Sequence, residues 1–517
     1  MQELKIEDLL QIWPDAKLLD GDAQIAFKQL QTDSRGELDG YIFVALKGER
    51  FDGHDYLEVA INKGAKGIVI DQSSKLDEQL FQLTKTHKCA IIQVFNTWHA
   101  FYTYARYCRE QYKHPVVAVT GSVGKTSSRS MISRALQAFG AVTETAYNLN
   151  NEVGISQTLF RLANERTDYA IVEMGIDQIG EMARETALVQ PDIAVITNIG
   201  FSHIGHFQNL KILLREKTSI LNGLRPNGSL LLPFNDALLT EYASFHKLAA
   251  HLNLYFYGLE HDLDMELVKK FPSTCHWLVA KNRHFEQAGS EQIYQIFTAE
   301  AGNFVNGSWQ VNKTVDCSLK TAATHHAQNA CLALACASAL HLDLDKAARN
   351  LASYSGANGR ERIIKVADTV LLDDSYNAAS SSFKAVLETG DILAKQYQIK
   401  DVIAVCGSIN ELGAYSESEH GKVGTYLAEH QLKRIYFLGH GAYYMQAAYL
   451  TSCEEKGKQA AICKTYMQRE DLEQDLLAEL GGNELLIFKG SHSFALSETV
   501  EKVFNELNYR AQLKENK

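Results

Sequence analysis

The stretch His114-Pro-Val-Val-Ala-Val-Thr-Gly-Ser-Val-Gly-Lys-Thr126 decides the fold of the central part of this chain. Residues 114–120 have the pattern of a buried strand, and 121–126 form a glycine loop. Beyond the loop, apolar residues recur at helical spacing: Met131, Ile132, Ala135, Leu136 and Phe139. A strand, a glycine loop and a helix in this order predict a phosphate-binding loop at the start of the helix.

The loop residues have separable roles in nucleotide binding. Lys125 would reach the β- and γ-phosphates, and the Thr126 hydroxyl would ligate Mg²⁺. The common eight-residue form has glycine where Val119 stands, so this is a shortened variant. A tight turn without a ligand is the alternative, but the flanking strand and helix favour nucleotide binding. Three further residues would hold phosphates through backbone N–H groups: Gly121, Ser122 and Gly124.

Length and composition limit the class of protein. At 517 residues the chain is long enough for two to four domains, and 46% hydrophobic residues exclude a disordered or fibrous protein. A net charge of −11 argues against a general nucleic-acid binder. No apolar run approaches a membrane span, and the N-terminus does not resemble a signal peptide. The nine scattered cysteines include no Cys-x-x-Cys pair, so we expect reduced thiols in a cytoplasmic protein.

Alternating strand and helix patterns predict an α/β protein of three domains. Residues 1–113 are expected to form a small α/β unit, ending in a helix over 98–112. Residues 114–355 are expected to form a mostly parallel P-loop sheet, ending after an Ala-rich helix near 327–340. Four β-branched runs with helices between them predict a Rossmann-like unit over 356–517. A hinge is expected at 353–359.

Three residues after the loop could take part in the same chemistry. Glu173 ends a predicted strand and His203 follows another, at the edge where ligands collect in parallel sheets. A carboxylate suits Mg²⁺, and an imidazole could complete a second metal site. The alternatives are a structural carboxylate and an ordinary loop histidine. From its spacing alone, Lys217 is expected to lie on the solvent-exposed face of a helix and to have no catalytic role.

The chain resembles the Mur ligases, ATP-dependent amide ligases that build the peptidoglycan peptide. The shortened loop 120–126 has the form found in that family. Thr32-Asp-Ser-Arg35, with the segment 42–54, is similar to the domain that binds a UDP-sugar. Asn148-Leu-Asn-Asn-Glu-Val-Gly154 resembles the segment near the muramoyl substrate. The resemblance covers most of the chain and follows the family's order of motifs.

The resemblance implies a role for individual residues. Thr126 and Glu173 match Mg²⁺ contacts, His203 matches a ligand of a second ion, and Lys217 matches a lysine that CO₂ carbamylates. The family's catalytic set would then be Lys125, Lys217, His203 and Arg360. Nucleotide contacts are implied for Asn329, Arg360 and Asp374. Substrate contacts are implied for Ser34, Arg35, Asn151 and Asn377.

The implied reaction joins an amino acid or dipeptide to a UDP-linked muramoyl peptide. Within the family, the nearest resemblance is to the ligase that joins D-alanyl-D-alanine to the muramoyl tripeptide. The resemblance implies a monomeric enzyme that uses ATP and two Mg²⁺ ions. Several positions depart from the family pattern: His326 for asparagine, Ala379-Ser380 for Asn-Pro, Ser408 for aspartate and His492 for arginine. These departures allow two alternatives, a divergent ligase with another carboxylate or amine, or a nucleotide-binding partner subunit without catalysis. Residues 255–320 are longer than usual and carry no motif.

Overall fold

The computed structural model describes residues 4–48, 51–74, 76–289, 292–354, 356 and 360–515. It contains three β-sheets, which follow one another along the chain and are covered by helices. The predicted boundaries after residues 113 and 355 lie outside the three sheets. Residues 355 and 357–359 of the predicted hinge lie outside the described part of the chain.

The first sheet has five strands in the order β1-β5-β4-β3-β2. Only β1 runs antiparallel to its neighbour. The middle strands are short and fully apolar, which is typical of parallel strands buried on both faces. Its elements are α1 (Ile6–Ile12), β1 (Lys17–Asp20), β2 (Leu30–Gln31), β3 (Ile42–Val44), α2 (Leu57–Asn62), β4 (Gly67–Asp71), α3 (Glu78–His87), β5 (Ala90–Val94) and α4 (Thr97–Gln111).

Helix α4 joins the first sheet to the second. Its Phe101 ring lies edge-on to Phe160 of the second unit at 5.1 Å. The buried guanidinium of Arg109 donates hydrogen bonds to the carbonyls of Val189 and Gln190, at 2.6 and 2.7 Å. The helix predicted over 98–112 therefore belongs to the interface between the two units as much as to the first one.

The second sheet has nine strands in the order β14-β13-β12-β11-β10-β9-β6-β8-β7. The strands from β7 to β12 are parallel, as predicted, and β13 and β14 are added antiparallel. Its elements are β6 (Val116–Thr120), α5 (Lys125–Leu136), β7 (Val142–Glu144), α6 (Glu152–Asn164), β8 (Tyr169–Glu173), α7 (Glu181–Val189), β9 (Ile193–Ile196), α8 (Leu210–Thr218), β10 (Ser229–Pro233), α9 (Ala237–Phe245), β11 (Asn253–Leu259), α10 (Met265–Val268), β12 (His276–Ala288), β13 (Gln292–Val305), β14 (Ser308–Leu319), α11 (His326–Ala339) and α12 (Leu344–Leu351).

The third sheet has six strands in the order β15-β16-β20-β17-β18-β19. All neighbours are parallel except β15 and β16. The four predicted strands correspond to β16, β17, β18 and β20. Its elements are β15 (Arg362–Val366), β16 (Thr369–Asp373), α13 (Ser380–Gln396), β17 (Asp401–Gly407), α14 (Ser416–Leu427), β18 (Arg434–Leu438), α15 (Ala442–Glu455), β19 (Ile462–Tyr466), α16 (Arg469–Glu479), β20 (Glu484–Lys489) and α17 (Leu496–Glu515).

The unassigned segment 255–320 forms most of the edge of the second sheet. Strands β12 to β14 make a long antiparallel meander, and Trp277 at its base is 1% exposed. The Trp277 ring stacks on Phe256 at 4.5 Å and meets Phe304 edge-on at 5.5 Å. The segment is therefore anchored in the core by aromatic packing.

The cysteines and the helices give two further facts. All nine cysteines are unpaired thiols, and eight of them are buried. Within the described ranges, none of the helices combines the length and apolarity needed to cross a membrane.

Candidate active site

A cleft with a volume of about 1230 Å³ lies between the second and third sheets. Parallel strands open such clefts at their carboxyl ends, where loops and helix N-termini meet. Twelve of the residues singled out from the sequence line it: Ser122, Gly124, Lys125, Thr126, Asn151, Glu173, His203, Lys217, Asn329, Arg360, Asp374 and Asn377. Among the described residues, the lining does not include Ser34, Arg35 or Gly121.

The glycine loop connects β6 to α5 and needs its two glycines. Gly121 has φ +147° and Gly124 has φ +83°, a region that favours glycine. A Cβ atom on Gly121 would lie 1.9 Å from the hydroxyl oxygen of Thr197. The N–H groups of Ser122 and Val123 donate to Oδ1 of Asn198, at 3.1 and 2.9 Å. In this structure the N–H groups of Ser122 and Val123 are therefore bonded to Asn198 within the protein.

Two lysines share one carbonyl oxygen beneath the loop. Nζ of Lys125 and Nζ of Lys217 both donate to the carbonyl of Gly121, at 2.9 and 3.0 Å. Lys217 is 3% exposed, and burial, followed by the neighbouring charge of Lys125, holds the pKa of Lys217 well below its usual value. Burial also lowers the pKa of Lys125. The neutral amine form of Lys217 is thus favoured.

Glu173 ends β8 beside the first turn of α5. Its Oε1 accepts hydrogen bonds from the Thr126 hydroxyl at 3.2 Å and from Asn150 Nδ2 at 2.9 Å. Its Oε2 accepts from Arg129 Nη1 at 2.9 Å, and the carboxylate is almost fully buried. A hydroxyl and a carboxylate within reach of one another form a donor set that suits a hard cation such as Mg²⁺.

Two residues around Glu173 were missed by sequence reasoning. Arg129 lies on α5 one turn after Thr126, so helical spacing would have placed it on the same side. Asn150 contacts Glu173, whereas Asn151 caps α6 by accepting from the Gly154 N–H at 3.0 Å. Because adjacent asparagines carry the same chemistry, no sequence signal distinguishes their orientations.

His203 lies where the second and third units meet. Its Nδ1 forms a hydrogen bond with Oε2 of Glu411 and lies 3.9 Å from Oδ1 of Asp177. Burial, followed by the charge of Lys125, lowers the pKa of His203. The imidazole is therefore held neutral, the form that ligates metal ions.

The third unit contributes a cation and an ion pair. Nη2 of Arg360 donates to the Thr126 hydroxyl at 3.2 Å, and its guanidinium lies 4.8 Å above the Tyr376 ring. Nζ of Lys489 lies 2.5 Å from Oδ2 of Asp374 and 2.9 Å from the carbonyl of Asn377. Lys489 ends β20 and Asp374 follows the adjacent β16. Lys489 was missed as a site residue because the pairing of β16 with β20, which brings it to Asp374, is not encoded in local sequence patterns.

The positions that depart from the family pattern lie in different surroundings. Ser408 is fully buried; its hydroxyl donates to the Leu438 carbonyl and accepts from the Gly441 N–H, both at 2.8 Å. Ala379 and Ser380 begin α13, where the Ser380 hydroxyl bonds to Glu419. Ser408 therefore has a structural role within the third sheet.

Ser34 is buried in a turn of the first unit, and the next residue, Arg35, lies at the surface. The Arg35 guanidinium is 89% exposed and forms two hydrogen bonds with the Asp33 carboxylate, both at 2.9 Å. Nζ of Lys63 donates to the carbonyls of Ser34 and Arg35, which fixes this turn. The turn is well ordered by its own contacts and presents a cation to solvent.

Comparisons with known proteins agree with this geometry. Family models describe residues 119–337 as "Mur ligase middle domain", 359–492 as "Mur ligase, glutamate ligase domain" and 26–106 as "Mur ligase family, catalytic domain". The UDP-N-acetylmuramoyl-tripeptide--D-alanyl-D-alanine ligase of Escherichia coli is 30% identical over 480 residues, covering 92% of this chain and 94% of the relative. The ligase of that name from Bacillus subtilis is 27% identical over 480 residues, with coverage of 92% and 93%.

Solved structures give the same result for the fold. A crystal structure of MurF from Acinetobacter baumannii superposes with a TM-score of 0.79 at 25% identity, covering 98% of this chain and 99% of that one. A MurF ligase from Thermotoga maritima, determined in complex with ADP, has a TM-score of 0.71 at 22% identity, covering 93% and 98%. Three α/β units with a phosphate-binding loop in the central one are typical of nucleotide-dependent ligases. The chain belongs to the Mur ligase family. Its full-length relatives above are of the MurF type.

Proposed function

We propose that this protein joins D-alanyl-D-alanine to UDP-N-acetylmuramoyl-tripeptide, using ATP and releasing ADP and phosphate. The observation that carries the proposal is the 30% identity, over nearly the whole chain, to the Escherichia coli ligase of that name. The convergence of Lys125, Glu173 and Arg360 on one cleft supports it, because each is suited to phosphoryl transfer.

The first step is attack of the tripeptide carboxylate on the γ-phosphorus of ATP, which gives an acyl phosphate and ADP. Negative charge spreads over the transferring phosphoryl group, and fixed cations stabilise it. Lys125 and Arg360 supply those cations, since Arg360 lies within 3.2 Å of the Thr126 hydroxyl at the start of α5. Thr126, Glu173 and His203 would hold Mg²⁺ ions, which supply further positive charge at the phosphates.

The second step is attack of the amine of D-alanyl-D-alanine on the acyl carbon. The amine loses a proton, the carbon–oxygen bond to phosphate breaks, and an amide and phosphate result. Water would destroy the acyl phosphate, so the cleft must be closed during this step. The third unit, with Asp374 and Asn377 facing the cleft, would provide this closure and contact the amine.

Lys217 is proposed to be carbamylated. Its neutral amine attacks CO₂, an N–C bond forms and one proton leaves, so that the side chain becomes an anion with two oxygens. The lowered pKa of Lys217 supports this step because only the unprotonated amine is nucleophilic. Carbamylation also places a negative charge beside Lys125, whose amine lies on the same carbonyl, and supplies oxygen ligands for a cation.

Variants of Lys217 test the carbamate. Lys217→Ala is expected to lose most activity and to regain part of it when small carboxylates are added. Lys217→Arg is expected to stay inactive with those additives, because the guanidinium fills the space and keeps its charge. Wild-type activity is expected to fall in CO₂-depleted buffer and to return with bicarbonate. Full activity of Lys217→Ala would contradict the proposal.

A substrate screen tests the reaction itself. UDP-muramoyl tripeptides are offered with D-alanyl-D-alanine, other dipeptides and single amino acids, and the product masses are measured beside phosphate release. The proposal predicts D-alanyl-D-alanine among the amines used. The changes at Ala379, which lines the cleft, and at the adjacent Ser380 favour a second candidate, a ligase with a wider choice of amine, whereas the buried Ser408 lies outside the cleft lining. Exclusive use of D-alanyl-D-alanine would remove that candidate, and ATP binding without any ligation would favour a non-catalytic subunit.

A further inference from the structure

Two histidines and a glutamate form a compact cluster that the proposed reaction does not use. His325 and His326 lie at the start of α11, and Glu361 directly precedes β15. One ring nitrogen from each histidine and one carboxylate oxygen lie within 4.8 Å of one another. Nε2 of His325 is 3.7 Å from Oε1 of Glu361, and Nε2 of His326 is 3.3 Å from Oε2. The cluster therefore joins the second unit to the third.

The orientation of His326 suits a ligand. Its Nδ1 lies 3.0 Å from the hydroxyl oxygen of Thr321, which also accepts the Ala323 N–H at 3.0 Å. A Nδ1–H that donates to this oxygen leaves the lone pair of Nε2 directed toward Glu361. Such a partner behind an imidazole fixes its tautomer and ring plane, as is usual for metal-binding histidines.

Within the described part of the chain, the second histidine has an unpartnered buried nitrogen, and the carboxylate is paired with the two imidazoles. Nδ1 of His325 is a buried atom with no hydrogen-bond partner among the described residues. The Glu361 side chain is 10% exposed and forms ion pairs with both imidazoles. Glu361 also has φ +49°, a strained backbone that non-glycine residues adopt rarely and most often at functional sites.

Burial disfavours charge on every member of this cluster. It lowers the pKa of His325 to about 4 and that of His326 well below its usual value, and it raises the pKa of Glu361. From the third unit, Asp374 acts on the cluster with one sign of charge, and Lys489 and Arg360 act with the opposite sign. A divalent cation binds the deprotonated forms of these groups, so at these distances it would displace the protons and be shared by the two imidazoles and the carboxylate.

We propose that His325, His326 and Glu361 bind a divalent transition-metal ion, with Zn²⁺ as the best match. Two imidazoles and one carboxylate are a known donor set for Zn²⁺ with one coordination position left open. His325 and Glu361 both line the main cleft, so the open position would be reached from there, by water or by a bound ligand. The ion would tie α11 to the start of β15 and restrain movement of the third unit.

Metal binding to the purified full-length protein tests the site directly. The protein is stripped with a chelator, dialysed and titrated with Zn²⁺ against a chromophoric competitor, in excess Mg²⁺ to occupy oxygen-rich sites. Co²⁺ in place of Zn²⁺ reports tetrahedral nitrogen and oxygen coordination by its visible absorption. We expect one Zn²⁺ per chain, and a rise in melting temperature with Zn²⁺.

Variants assign the ion to the cluster. His326→Asn and Glu361→Gln each remove one ligand, and each is expected to weaken binding by more than the ~10–100-fold that follows loss of an outer-shell partner. His251→Asn, at an exposed histidine, is the matched control and is expected to bind as the wild type does. Circular dichroism without metal checks that each variant is folded. If His326→Asn does not fold, Glu361→Gln alone tests the assignment of the ion to the cluster.

The outcomes separate the site from its alternatives. Equal affinity of the wild type, His326→Asn and Glu361→Gln would overturn the proposal, as would the absence of stoichiometric Zn²⁺ binding. The latter result would mean that the cluster holds only a shared proton. The measured quantities are metal affinity and visible absorption, so the outcome does not depend on ligase activity. If the proposed ligase reaction were wrong, this test of the metal site would still be valid.

Discussion

At the scale of single residues, the cleft is organised by side chains whose charge is held out of water. Lys125 and Lys217 both approach the carbonyl of Gly121, and Glu173 is bonded to Thr126 and Arg129. Removing one member of such a set leaves its partners without compensation. Charge-altering substitutions here are therefore expected to affect catalysis strongly, with smaller effects on the fold.

The first residue-scale prediction concerns Lys125. Lys125→Ala removes the positive charge nearest the predicted phosphates, and loss of one such contact is expected to lower turnover by ~10²–10³. The measurement is ATP-dependent phosphate release with the muramoyl tripeptide and D-alanyl-D-alanine. Lys211→Ala, at an exposed lysine on α8, is the matched control. Near-normal turnover of Lys125→Ala with unchanged nucleotide affinity would contradict the assignment.

Arg35 tests the role of the first unit. Its guanidinium is exposed and oriented by Asp33, so it can pair with phosphate or uracil oxygens of a UDP-linked substrate. Arg35→Ala is expected to raise KM for that substrate severalfold and to leave KM for ATP unchanged. Arg106→Ala, at an exposed arginine of α4, is the control. If Arg35→Ala raised KM for ATP as much as KM for the UDP-linked substrate, the assignment of the first unit to binding of that substrate would be wrong.

At the scale of elements, the antiparallel extension of the second sheet shows how a segment without a motif is held. Strands β12 to β14 carry exposed residues over much of their length, and the base of the meander is fixed by Trp277 among aromatic rings. Trp277 is therefore the largest buried side chain that holds the base of the extension. The active-site strand β6 lies in the parallel part of the same sheet, away from this extension, and α5 follows it directly in the chain.

Trp277→Ala is expected to reduce stability by about 3–5 kcal/mol, because a large buried ring is replaced by a cavity. A fall in melting temperature is the measurement, since a protein of several units need not unfold in a single step. Activity at low temperature is expected to persist. Val311→Ala, at an exposed position on β14, is expected to change the melting temperature little. Equal effects of the two substitutions would show that the meander is not anchored at Trp277.

At the scale of the whole molecule, a small number of contacts hold the third unit against the second. The Gly205 N–H donates to the Glu411 carbonyl at 2.8 Å, and the Tyr415 hydroxyl donates to the Gln208 carbonyl at 3.2 Å. Arg360 crosses the same junction to reach Thr126. We expect this junction to open and close during turnover, because product release requires an open cleft.

Gly205 offers a way to weaken this junction. A methyl group there would lie 2.8 Å from the Glu411 carbonyl oxygen and 3.3 Å from its carbon, so backbone must move apart. Gly205→Ala is expected to increase the radius of gyration in small-angle scattering and to lower turnover at least severalfold. The matched control is Gly421→Ala, where the new methyl group has ordinary contacts. An unchanged scattering profile together with reduced turnover would contradict the expectation that the contact at Gly205 holds the third unit closed against the second.

The sequence by itself determined the local features of this protein. A buried strand, a glycine loop with Lys125 and Thr126, and an amphipathic helix follow one another, and each pattern depends on neighbouring residues alone. The α/β class and most strands of the parallel sheets follow from the same kind of pattern. The family motifs then placed Glu173, His203 and Lys217 in one site, because the order of motifs along the chain is preserved.

Only the tertiary structure decided which side chains meet. Strand β6 lies between β8 and β9, which brings Glu173 to 3.2 Å from Thr126, and β16 pairs with β20, which brings Asp374 to Lys489. Strand order is set by packing between distant segments, and spacing in the sequence does not contain it. The choice of Asn150 over Asn151 at Glu173 has the same origin, because a side chain's direction depends on the backbone around it.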